Sequence, residues 1–157
     1  MRDRLTAALI LIVGVGLIAA MPTWWSSERQ APGAYAAPPD FSQRVEAMVA
    51  AHATGAEIDG MPVVRPPPGD VWLRAERWRF YPVLELEAGR EYRLHVASAD
   101  VPHAVVLNGV ERPLPPGLVQ ILPLAPTDEV VMTLQCSEYC GLPHTRMRGK
   151  IMVVKAN

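Results

Sequence analysis

Cysteine is scarce: the 157-residue chain has two, both inside the stretch CSEYCGLPHTRM from Cys136 to Met147. One bridge across so short a loop would add little stability, so disulfides are not what holds this fold together. Histidine is nearly as rare, with four residues. Net charge is missing too: the total is -1, and nothing in that balance asks for nucleic acid. From residue 40 onward, 14 acidic and 12 basic side chains leave a net of -2, too small to name a docking partner, because docking depends on local patches. No internal repeat is present, and helical periodicity is modest after residue 55. What the chain does have is turn chemistry, with 16 prolines and 11 glycines. That composition favours one β-rich domain with a real core.

Charge is absent from Leu5 to Met21, and the apolar run extended to Trp25 would span about 30 Å as a helix, enough for a bilayer core. Arg2 and Arg4 precede it, which places the N-terminus in the cytoplasm, and Trp24 and Trp25 fall where an interfacial aromatic belt would sit. Residues 1–25 therefore read as a single-pass membrane anchor. A cleaved signal peptide is the rival reading, with AYA at 34–36 as the processing site, although that lies about fifteen residues past the apolar run. Either way the remainder is exported.

Residues 26–39 read as a polar, proline-bearing tether. Asp40 is placed to cap a short amphipathic helix carrying Phe41, Val45, Met48, Val49 and His52 on one face, with Gly55 ending it. MPVVRPPPGD follows, an extended segment whose prolines argue against a central strand, and completes a region over 40–69. Seven strand-like runs then occupy 70–157: DVWLRAERWRF, PVLELEA, REYRLHVAS, HAVVLN, LVQILPL, EVVMTLQ and KIMVVK. The spacing predicts an all-β sandwich or small Greek-key barrel.

Cys136, Cys140, His144 and Met147 would share one face of a helix, but Gly141 and Pro143 interrupt a helix interior. The segment reads instead as a loop between two strands, able to aim its donors inward. A Cys136–Cys140 disulfide and a structural zinc site are the competing readings. Neither uses Met147, whereas thiolate, imidazole and thioether together favour copper. For a second imidazole, His95 alternates outward from Tyr92, Leu94 and Val96, a solvated position. His103, at a loop-to-strand junction, is the better candidate. A mononuclear blue-copper site needs one thiolate, so two cysteines point to two bridged copper ions with weak axial donors from Met147 and a loop carbonyl.

CSEYCGLPHTRM, preceded by the histidine of DVPHAV, resembles the dinuclear CuA motif of cytochrome c oxidase subunit II, in the single-span bacterial form of the haem-copper oxidase superfamily. The resemblance covers roughly residues 40–157 and implies a cupredoxin-like Greek-key β-barrel. It also implies copper bridging by Cys136 and Cys140, imidazole ligation by His103 and His144, and axial contacts from Met147 and the Glu138 carbonyl. RWRFYP falls at the family's electron-uptake aromatic cluster, which makes Trp78 the uptake residue and Trp72 the weaker choice. Three features depart from the family: a single span, Val105 where an aromatic is usual, and an abbreviated proline-rich stretch over 108–117.

The function so implied is an electron relay. The chain would accept electrons from cytochrome c or a small copper protein and pass them to haem in oxidase subunit I, the enzyme being the complex. It would sit in a bacterial inner membrane with its copper domain on the periplasmic face. The alternatives are the corresponding subunit of a nitric-oxide-reducing relative and a membrane-tethered copper-delivery protein. Intact copper ligands disfavour a quinol oxidase subunit.

Overall fold

The computed structural model describes Thr6, residues 10–16 and residues 38–156. Residues 10–16 are helical, with Ile10, Leu11, Ile12, Val13 and Val15 exposed. Among the described residues no helix is long and apolar enough to cross a membrane. Most of the expected anchor and nearly all of the tether lie outside the described residues.

The chain from Gly33 onward forms a compact unit separate from Met1–Pro32. It begins with a helix, Pro38–His52. The helix starts three residues earlier than an Asp40 cap requires, because proline is tolerated in a first turn, where the N–H has no partner to lose. Asp40 thus lies inside that turn, where the helix dipole favours a carboxylate. Phe41, Val45 and Met48 are buried as their spacing predicts, the first two against Ala97 and Val119.

Eleven strands follow: β1 Ala53–Ile58, β2 Met61–Val64, β3 Gly69–Glu76, β4 Arg79–Tyr81, β5 Val83–Glu87, β6 Tyr92–Ser98, β7 His103–Leu107, β8 Val110–Leu114, β9 Val119–Leu124, β10 Val130–Cys136 and β11 Arg148–Val154. One run of neighbours is β1-β2-β5-β11-β10-β7-β8, and another is β4-β3-β6-β9, joined through a β11–β4 contact. Both runs turn alternate residues into one core. Val71, Leu73 and Ala75 of β3 and Leu94 and Val96 of β6 share it with Leu134 of β10 and Ile151 and Val153 of β11. Complete burial of a side chain such as Leu134 contributes about 1.5–3 kcal/mol.

Three expectations need correcting. MPVV is a strand after all, lying between β1 and β5; Pro62 registers with Glu57 of β1, while pairing to β5 uses Val63 and Val64, so its missing N–H falls outside that ladder. The Asp59-Gly60 turn (φ 54° and 71°) is the hairpin signal that the neighbouring prolines obscured. DVWLRAERWRF breaks at Arg77–Trp78 into an antiparallel hairpin in which Glu76 faces Arg79. The stretch over 108–117 holds an additional edge strand, β8, where Pro113 is admissible.

Candidate metal centre

Cys136 is the last inward residue of β10, in phase with buried Met132 and Leu134, so strand alternation delivers its sulfur to the core end. His103 opens β7, 1% exposed, with Nδ1 3.7 Å from Cys136 Sγ. Its other nitrogen, Nε2, lies 2.8 Å from Asp100 Oδ1. Burial alone would raise the Asp100 pKa. The His103 hydrogen bond, with N–H donation from Arg77 and Val101, outweighs that and leaves the carboxyl below its usual range. An ionised Asp100 favours the tautomer protonated at Nε2, which turns the Nδ1 lone pair toward the sulfur.

The loop is closed at its neck by the Cys136 N–H to the Met147 carbonyl, 3.1 Å, and anchored to β7 by the Ser137 N–H to the Ala104 carbonyl, 3.3 Å. Gly141 takes φ 107°, a conformation that favours glycine, and a Cβ there would stand 3.6 Å from the Trp78 indole. A short 3-10 turn, His144–Arg146, brings the chain back with Met147 fully buried.

The donors gather at two ends of the sulfur pair. Cys136 and Cys140 stand 3.9 Å apart, Sγ to Sγ. Beside Cys136 are His103 and the Glu138 carbonyl, the latter 3.2 Å from the sulfur. Beside Cys140 are His144 Nδ1 at 3.6 Å and Met147 Sδ at 3.7 Å. The donor atoms of His103, Cys136 and Cys140 all lie within 4.8 Å of one another, the only such cluster among the described residues. Burial pushes the Cys140 thiol up to about 11, with the Cys136 sulfur adding to the rise. Deprotonation at neutral pH therefore calls for a cation in contact.

The donor chemistry fits copper. Both cysteines are free, at a separation well beyond a sulfur–sulfur bond of about 2.05 Å. Zinc would have no use for a buried thioether turned toward Cys140. The Glu138 side chain is exposed and only its carbonyl approaches the sulfurs. Trp78 is half-exposed against the loop. Trp72 instead packs beside Phe41 and Val45 and stacks on His95 at 5.6 Å. His95 is not simply solvated: its Nε2 lies 2.7 Å from Asp70 Oδ1, and its side chain is 19% exposed. His52 is half-buried on the helix, away from the cluster. Asp100 was missed from sequence, although a carboxylate three residues before a candidate ligand histidine in ADVPH is a usable signal for a group that orients it.

No family model matches the sequence, and no curated protein does. Solved structures do match in fold. The periplasmic domain of subunit II of cytochrome oxidase from Bradyrhizobium japonicum is 21% identical over 55% of this chain and 83% of that one, with a TM-score of 0.51. A chain of a heme-copper terminal oxidase dimer is 19% identical over 98% of this chain and all of that one, with a TM-score of 0.52. A rusticyanin variant is 17% identical over 76% of this chain and 95% of that one, with a TM-score of 0.54. Residues 38–156 thus have a cupredoxin-like fold, the architecture they share with an oxidase subunit II domain and with rusticyanin.

Proposed function

We propose that the chain is the electron-uptake subunit of a membrane-bound terminal oxidase, holding a dinuclear copper (CuA) centre. The observation that carries this reading is the symmetry of the donors about the Cys136–Cys140 pair, with one imidazole and one weak axial donor at each end. Cys136 and Cys140 would bridge, His103 and His144 would ligate, and Met147 and the Glu138 carbonyl would complete the set. Copper held by these residues would supply a one-electron carrier.

The chain's own residues prepare that site. Asp100 orients His103, and the neck hydrogen bonds hold the loop against β7. Burial of His103, Cys136, Cys140 and Met147 excludes water. A site so enclosed favours retention over release, which argues for a relay rather than a copper-delivery protein. Trp78, half-exposed against Gly141, is suited to receive an electron from cytochrome c or a small copper protein. The acceptor would be haem in a catalytic subunit I. The outward apolar residues between Ile10 and Val15 support a membrane anchor, with the copper domain on the periplasmic side.

Copper quantitation with optical and paramagnetic-resonance spectra tests the reading. Two coppers per chain sharing one unpaired electron are expected; a single metal, zinc, or a Cys136–Cys140 disulfide overturns it.

A further inference from the structure

The surface over the cysteine loop carries a charge pattern that the net charge conceals. We propose that it docks a donor protein whose redox group is rimmed by carboxylates, an inference that rests on the electron-uptake reading above.

The loop has two differently charged flanks. Toward β7 and β8, Ser137 Oγ donates to Glu111 Oε1 at 2.5 Å, and Glu138 is exposed. Toward β4 and β11 lies Trp78, between exposed Arg77 and Arg79. Arg148 is the register partner of Arg79 on the neighbouring strand, and exposed Arg146 closes the 3-10 turn just before it.

Most carboxylates near this flank are already engaged. Glu76 pairs with Arg79 at 2.5 Å and with Arg74 at 2.9 Å. Asp100 accepts from the Arg77 backbone through Oδ2, and from Val101 and His103 through Oδ1. Among the described residues the guanidinium groups of Arg77, Arg146 and Arg148 have no acidic partner. Register partners point to the same side of a sheet, and like charges set opposite each other there repel. Of the four arginines on this flank Glu76 offsets Arg79 alone, so the uncompensated charge beside Trp78 is positive.

The middle of the patch is apolar, with Trp78 39%, Tyr139 70% and Leu142 81% exposed. An apolar centre inside a charged rim is the anatomy of a small, transient redox interface. Charge complementarity then selects the occupant. Unpaired guanidinium groups repel a lysine-rimmed protein and take carboxylates in bidentate pairs.

The test uses the full chain, copper-free and copper-loaded, with two probes: a lysine-rich c-type cytochrome and the same cytochrome with its lysines succinylated. Their binding is measured by surface plasmon resonance at stepped salt. The succinylated form should bind more tightly, on the order of tenfold at low salt, with the preference fading as salt rises. Replacing Arg77, Arg146 and Arg148 together by Glu should reverse the preference, and the single changes to Gln should each diminish it. Tighter binding of the lysine-rich form, or a preference indifferent to these substitutions, overturns the proposal. Copper content and spectra of the loaded chain are read alongside: loss of the two-copper signature with the charge preference intact counts against the copper reading and not against the docking surface.

Discussion

Cys136 and Cys140 reach the core by different routes. Cys136 arrives through the two-residue period of β10, whereas Cys140 is carried inward by a loop whose neck is tied to β7 and β11. Because each sulfur would bridge both ions, Cys136→Ser and Cys140→Ser should each abolish the dinuclear centre. Copper stoichiometry and the optical spectrum check this, and wild-type values in either variant would reject the bridging assignment. Met147 approaches one sulfur only, so Met147→Leu should leave copper bound while shifting the reduction potential. Complete loss of copper in that variant would show that Met147 is more than a weak axial donor. Trp78→Ala should slow oxidation of a reduced donor without altering the copper spectrum; unchanged stopped-flow kinetics would remove Trp78 from the uptake route.

At the scale of elements, the site depends on how tightly β11 approaches β4 and β10. Gly149 faces the site of closest approach: a Cβ there would stand 2.6 Å from Phe80 Cβ and 3.0 Å from a Leu134 methyl. Gly149→Ala should therefore destabilise the domain by about 1–3 kcal/mol, seen as a lower urea midpoint, because Phe80 cannot move away without displacing β4. A second coupling links β3 to β6. The Arg93 and His95 hydrogen bonds to Asp70 hold its carboxyl well below the usual carboxylate value of 3.8. A depressed folded-state pKa stabilises above the unfolded value and ceases to do so as pH falls through the folded one. Unfolding midpoints should decline below about pH 4, less steeply in Asp70→Asn, with salt reducing the difference because the pair is partly exposed. Equal slopes in the two proteins would assign the acid sensitivity to other carboxylates.

These elements also show what could be read in advance. The strands with plain alternation, such as β6 and β10, were legible because polar and apolar residues take turns along them. β2 and β8 were not, since Pro62 and Pro113 weigh against a strand until the pairing shows which N–H groups are needed. The hairpin at Arg77–Trp78 was hidden inside a run that alternates well enough to pass for one strand.

Across the whole molecule, the proposed donors come from separated parts of the chain: His103 from β7, Cys136 from β10, and the rest from the loop leading to β11. Metal binding to such a set favours the folded state alone. Copper loading should raise the thermal midpoint, with about 4 kcal/mol gained when free copper exceeds its Kd by ~1,000-fold, and chelation should reverse it. Calorimetry of the metal-free and loaded chains checks this; coincident midpoints would mean that the donors do not bind as one set.

The sequence by itself determined the kinds of donor, their crowding into one loop, and the β-rich character of the region that follows the helix. Those follow from local chemistry: the spacing of thiols and imidazole, alternation along strands, and turn residues between them. Only the tertiary structure decided that His95 turns to Asp70 of the neighbouring strand, that Gly149 meets Phe80, and that arginines from β4 and β11 converge beside Trp78. Such relations join residues distant along the chain, and no local preference encodes them, because they arise from the register in which strands pair.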